Sequence, residues 1–241
     1  METLDRRPRF AHTVRGALVL SLLAAAPARG QHGTGTGTVR GSVRVVDARG
    51  AVAPAGDAVV WIEGLLRRAA PAGGQVLAEV AQRKKTFVPH VQVLRVGSTV
   101  AFPNLDRLYH NVFSLSEIAP FDLGLYRNGA SRSLAFPRPG VVRVYCNIHP
   151  SMSAFLVVVN SDVFGKTGAD GRVELREVPV GTWPVSAWHE KGGEAKVRVD
   201  VEPGGTAELD IRLDAAGWRP LPHKNKYGKD YPPPDDDENR Y

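Results

Sequence analysis

The chain holds one cysteine, two methionines and few aromatic residues in a length of 241. The lone cysteine, Cys146, excludes an intrachain disulfide and with it a disulfide-stapled fold. It also excludes a copper pair bridged by two cysteines, so a thiolate metal site in this chain is mononuclear. No basic cluster interleaved with aromatics is present, although the net charge is +6; lysine and arginine are scattered among acids, which argues against a nucleic-acid partner. The apolar run of residues 17–26 is about half of the ~20 residues that a membrane span needs.

What is abundant is glycine, proline and valine, a mixture that favours short strands and many turns. Arg6, Arg7, Arg9 and Arg15 precede the apolar run, and Ala28-Arg29-Gly30 puts small residues at both cleavage positions. The pattern predicts a secretory signal over residues 1–30, a periplasmic or secreted location, and no integral membrane segment once it is removed. Its removal takes away five arginines and two acids, lowering the net charge from +6 to +3.

Beyond a Gly/Thr-rich leader, Val39, Val43 and Val45 alternate with Arg40, Ser42 and Arg44, the period of a half-buried strand. Ala58-Val59-Val60-Trp61-Ile62 reads as a more buried strand, and the stretch from Val76 to Phe87 as one extended strand. Val91 to Val96 and Thr99 to Phe102, joined by Gly97-Ser98, read as a hairpin. Residues 109–113 read as a further strand carrying His110, residues 114–129 form a long connection, and strands return at residues 131–136, 142–146 and 155–159. Eight or so short strands separated by turns argue for a β-sandwich or barrel. After Asn160 the pattern restarts, with clean one-sided alternation at Val197, Val199, Val201 and at Leu209, Ile211, Leu213. Residues 31–160 and 161–214 are therefore expected to be two β domains, the second smaller. The strands of residues 39–62 suit either one. Residues 215–241 are Pro-rich and charged, with no apolar face, and are expected to form a disordered tail.

The chemistry concentrates in Cys146-Asn147-Ile148-His149-Pro150-Ser151-Met152. Apart from Met1, this loop holds every sulfur in the chain. Thiolate, imidazole and thioether within seven residues form a donor set suited to copper, in which two histidines and a cysteine bind trigonally and a methionine weakly along the axis. The missing second histidine is His110, at a strand start shortly after a turn.

Cys-x-x-His-x-x-Met after a strand, with His110-Asn111 upstream, resembles the cupredoxins, and the short loop resembles that of the amicyanin type. The run Phe102-Pro103-Asn104-Leu105-Asp106, His110-Asn111-Val112-Phe113-Ser114 and Phe121-Asp122-Leu123-Gly124 is similar to bacterial plastocyanin-like proteins of the methylamine-utilisation type. The resemblance covers roughly residues 76–160. It implies a Greek-key β-sandwich binding one type 1 copper through His110, Cys146, His149 and axial Met152. Asn111 is then expected to fix the ligand loop by hydrogen bonding. His149 becomes the electron exit, within an apolar patch drawn from Leu105, Leu108, Ile148 and Pro150. Residues 167–189 resemble a carboxypeptidase-regulatory-like (transthyretin-like) accessory sandwich.

With no open coordination position and no further histidine cluster for a second copper, the expectation is an outer-sphere electron carrier serving unidentified redox partner proteins, not an enzyme. The alternative is an extracytoplasmic binding module that stores or transfers copper.

Overall fold

The computed structural model describes residues 35–68, 76–219 and 223–231. The expected secretory signal over residues 1–30 lies outside them, and so do residues 31–34 of the Gly/Thr-rich leader. No helix among the described residues is long and apolar enough to cross a membrane. Among the described residues every regular element is a strand: β1 (Thr36–Val46), β2 (Val52–Pro54), β3 (Val59–Ile62), β4 (Val76–Glu79), β5 (Ala81–Gln82), β6 (Phe87–Val88), β7 (Val91–Arg95), β8 (Thr99–Pro103) and β9 (His110–Ser114). They continue as β10 (Phe121–Tyr126), β11 (Ser131–Ala135), β12 (Gly140–Tyr145), β13 (Ser153–Val159), β14 (Phe164–Lys166), β15 (Arg172–Pro179), β16 (Gly181–His189), β17 (Gly193–Val201) and β18 (Thr206–Asp214).

The chain is all-β, in two sandwiches, and one interrupts the other. An outer sandwich pairs the sheet β15-β1-β18, with β2 on the edge of β1, against β14-β3-β16-β17. The inserted sandwich packs the five-stranded sheet β10-β9-β12-β13-β7 against β11-β8-β4, with β5 and β6 as a small ribbon. No sheet closes into a barrel. The expected succession of residues 31–160 and then 161–214 is thus corrected to nesting. β1 runs parallel to β18 from Thr38↔Thr206 to Val46↔Asp214 and antiparallel to β15. β3 lies between β14 and β16. Residues 161–214 alone would lack an inner strand of each sheet, leaving β15 apart from β18 and β14 apart from the β16–β17 pair.

β3 and β13 are buried on both faces, which explains their unbroken apolar runs. In β3, Val60 and Ile62 enter the outer core while Val59 and Trp61 face the other way. In β13, Ala154, Leu156 and Val158 enter the inserted core while Phe155, Val157 and Val159 turn outward. The two outward faces meet. With Val91 and Trp188 they form a third apolar cluster, the seam that joins the sandwiches. At its edge His90 Nε2 lies 2.7 Å from Glu190 Oε2.

Other local expectations change once the strand partners are known. β7 pairs with β13 and β8 with β11 and β4, so the expected hairpin at Gly97-Ser98 is an arch between opposite sheets. The expected strand from Val76 to Phe87 breaks at a tight turn where Lys84 and Lys85 both adopt positive φ, 53° and 54°. The long connection after Ser114 contains β10, an edge strand paired with β9.

Asp162 pins the point where the chain re-enters the outer sandwich. Its carboxylate accepts the Arg67 and Arg68 amides and pairs with Arg95 across 2.8 Å, the two side chains being 11% and 12% exposed. Burial raises its pKa, but these amides and the Arg95 and Arg68 charges outweigh that and hold it low.

Two outcomes follow from these arrangements. Residues 161–219 expressed alone stay unfolded by circular dichroism, and adding residues 35–68 to the same chain restores strand signal. Asp162→Ala lowers stability in urea by about 3 kcal/mol, through an orphaned arginine. Because the folded pKa is depressed, the stability Asp162 contributes is complete above the ordinary carboxylate value of about 4 and fades as pH falls through its lowered value. The variant accordingly loses less stability than the parent on acidification.

Candidate metal centre

The ligand loop is the turn of a hairpin. β12 ends at Tyr145, β13 begins at Ser153, and these two residues are register partners. The loop between them closes on itself, with Cys146 N donating to Met152 O at 3.3 Å and Met152 N to His149 O at 3.0 Å. β9 lies against β12 through Tyr145↔Phe113 in antiparallel sense, which carries the start of β9, and so His110, to the loop end.

Three donors converge. His110 Nδ1 and His149 Nδ1 are 3.1 Å apart, and Cys146 Sγ lies 3.9 Å from the first and 3.7 Å from the second. The point equidistant from all three corners is about 2.1 Å from each, the length of a metal–nitrogen bond and about 0.2 Å short of a metal–thiolate bond. Among the described residues this is the one cluster of three or more histidine, cysteine or acidic side chains placed to hold a metal ion. His110, Cys146 and Met152 are 0% exposed, while His149 is half-buried. Met152 packs in the same core cluster as Cys146, brought there by the two loop hydrogen bonds. The four residues expected from the sequence are therefore together at one end of the inserted sandwich. A soft thiolate, two imidazoles and a buried thioether suit copper by donor type.

The tautomer of His110 follows from its other nitrogen. Nε2 is 2.8 Å from Asp106 Oδ2, so the proton sits there and the Nδ1 lone pair faces the cluster. Asp106 also accepts the amides of Lys84 and Lys85, the latter at 2.8 Å. Burial pushes its pKa up, but the Lys85 amide, His110 and the Lys84 amide prevail and hold it below the usual carboxylate range. Asn104 shapes the approach: its Oδ1 accepts the Asp106 amide at 2.9 Å, and its Nδ2 donates to the carbonyls of Leu108 and Tyr126.

Asn111 does not act directly on the ligand loop. Its Nδ2 donates to Asp122 Oδ1 at 2.7 Å and its buried Oδ1 has no partner. The tie runs through the C-terminal segment instead. Lys226 Nζ reaches Asp122 Oδ2 at 2.8 Å, and the Lys226 amide donates to Asn147 Oδ1 at 2.9 Å. Tyr231 OH donates to Cys146 O at 2.8 Å, and His223 Nε2 donates to Pro150 O at 2.7 Å while its ring stacks on Tyr145 at 3.9 Å. Burial first, then the Cys146 and Tyr145 charges, push the Tyr231 pKa up, so it stays a hydroxyl donor. The expectation of disorder across residues 215–241 thus fails for residues 223–231; residues 232–241 lie outside the described residues. Polar and aromatic side chains on a Pro-rich segment give no periodic signal, and their partners are residues 122 and 145–150. The signal for Asp106 was present in the spacing Asn104-x-Asp106-x-x-x-His110, which carries a capping asparagine and an acid before a ligand.

Of the other histidines, His189 accepts the Lys191 amide within the β16–β17 turn and His90 pairs with Glu190, so neither belongs to the cluster. Leu105 is exposed, and Leu108 and Ile148 are partly covered.

Comparison with solved structures finds copper proteins. An amicyanin variant in its reduced Cu(I) form is 25% identical, over 36% of this chain and 85% of that one, with a TM-score of 0.33. A purple cupredoxin from Nitrosopumilus maritimus is 24% identical, over 34% and 98%, with a TM-score of 0.32. A copper-containing nitrite reductase from Thermus scotoductus SA-01 is 25% identical, over 39% of this chain but 25% of that one, with a TM-score of 0.34. No protein-family model and no curated protein matches the sequence.

Removing the strap tests its role. Tyr231→Phe costs about 1 kcal/mol in denaturant titration, the worth of one hydrogen bond. Deleting residues 220–241 raises hydrogen exchange of the amides in residues 146–152 by about tenfold or more, with the strand amides of β13 unchanged.

Proposed function

We propose that the protein is an extracytoplasmic carrier of single electrons that binds one copper ion through His110, Cys146, His149 and Met152. The observation that supports this reading most is the triangle of two imidazole nitrogens and one thiolate, with sides of 3.1, 3.7 and 3.9 Å. Copper held there would supply a one-electron couple between Cu(II) and Cu(I).

The chain's own residues favour carriage over catalysis. His110, Cys146 and Met152 have no contact with solvent, so water and substrates are kept from three of the four donors. Asp106 fixes the ring of His110, and the loop hydrogen bonds with Tyr231 and Lys226 fix Cys146 and Asn147. A ligand set held in one arrangement needs little rearrangement when its charge changes, which suits outer-sphere exchange. His149 alone reaches the surface, so a redox partner protein meets the centre at its imidazole edge. The outer sandwich holds the inserted one through an apolar seam and, among the described residues, adds no histidine, cysteine or acid to the cluster.

Reconstituting the full chain without residues 1–30 with copper tests this. One copper per chain, an intense visible thiolate-to-copper band and a reversible one-electron titration are expected, with the band absent in Cys146→Ser. A protein that instead surrenders its copper to a chelator on reduction, without reversible cycling, is a store, and the carrier reading falls.

A further inference from the structure

We infer that Asp106 is a positioning residue that sets the electron affinity of the metal centre through His110. The inference rests on the copper reading above, and its observations are independent of the ligand triangle.

Three features converge on this carboxylate. Its Oδ2 accepts from Nε2 of His110, a ligand with no solvent exposure, across 2.8 Å, and the Asp106 side chain itself is 12% exposed. A carboxylate in that place strengthens the imidazole as a donor and fixes its tautomer and orientation. Its negative charge, poorly screened by solvent, also favours the more highly charged metal state.

The second feature is the turn that holds it. Lys84 and Lys85 are consecutive non-glycine residues at φ 53° and 54°, a region that L side chains enter at a cost. That conformation aims both main-chain N–H groups at Asp106, making a small anion cradle from the backbone. Arg83 and Thr86 exchange both main-chain hydrogen bonds around them, so Lys84 and Lys85 are the two central residues of a hairpin turn of the primed type, in which both take positive φ.

The third is the support behind Asp106. Its own amide is held by Asn104 Oδ1, and Asn104 is buried and braced on Leu108 O and Tyr126 O. The Leu105 amide donates to Gln82 O at 2.9 Å, zipping the Asp106 loop to the lysine turn. The carboxylate is therefore held from its main chain and from both oxygens, with one oxygen shared between Lys85 and the ligand histidine.

Asp106→Asn keeps an oxygen that can accept from Nε2 and removes the charge; Asp106→Ala removes both; Asp106→Glu restores the charge at slightly longer reach. Reduction potential and separate Cu(II) and Cu(I) affinities are measured on the copper-loaded full chain and each variant. Asp106→Asn is expected to weaken Cu(II) binding about tenfold more than Cu(I) binding, which raises the potential by about 59 mV for a one-electron couple. Asp106→Glu is expected to recover most of that shift. An unchanged potential in Asp106→Asn overturns the inference, as does equal loss of both affinities in Asp106→Ala and Asp106→Asn, which is the mark of a loop anchor alone. Where a variant fails to fold, nitrogen-15 spectra of the parent in its Cu(I) form decide: a slowly exchanging His110 Nε2 proton supports the contact, and a freely exchanging one overturns it. A parent that takes up no copper sinks the carrier reading and this inference with it. A parent that cycles reversibly beside a variant that matches it sinks only the role of Asp106.

Discussion

Two-sided burial of β13 is the constraint on which the molecule depends. One face of this strand lines the inserted core with Ala154, Leu156 and Val158, and the other lines the seam with Phe155, Val157 and Val159. A slip of one residue would exchange those faces and empty both. The register of the β12–β13 hairpin is therefore held from two directions, and the loop of that hairpin is the one that carries Cys146, His149 and Met152. The cluster of His110, Cys146 and His149 therefore sits at the end of a strand pair whose register is held from both faces.

Around that loop, fixation comes from three parts of the chain that are remote in sequence. β9 brings His110 to it by sheet pairing, the lysine turn and Asn104 orient Asp106 behind His110, and residues 223–231 close over Cys146, Asn147 and Pro150. Each contact is an ordinary hydrogen bond worth about 1 kcal/mol. Their joint effect is to hold donors of different softness in one arrangement. The loop itself is closed by Cys146 N to Met152 O and Met152 N to His149 O. The strap supports it by joining Asn147 to Asp122 through Lys226, a path that replaces a direct contact from Asn111.

The donor set was legible because its members are rare and mostly local. A single cysteine and a single internal methionine with a histidine between them leave little room for coincidence, and His110 starts a strand whose pattern is plain. The all-β class followed from period-2 alternation for the same reason, since that alternation is written along each strand. Asp106 was in view as part of a motif without its role, because a carboxylate four residues before a histidine acquires meaning only when a loop turns its oxygen onto the ring nitrogen. The strap was read as a tail, since nothing local in a Pro-rich charged segment distinguishes a free chain from one docked on distant carbonyls.

By itself the sequence determined which atoms can bind a soft metal, that no two cysteines can bridge a metal pair, and that the chain builds strands. Those properties depend on side-chain chemistry and on spacing within a few residues. Tertiary structure alone decided that one sandwich is nested in the other, that β1 and β3 belong with β15 to β18, and that residues 223–231 lie on the ligand loop. Strand pairing is written in no single segment: a backbone ladder accepts any partner of suitable pleat, and only the burial of both faces at once selects among them.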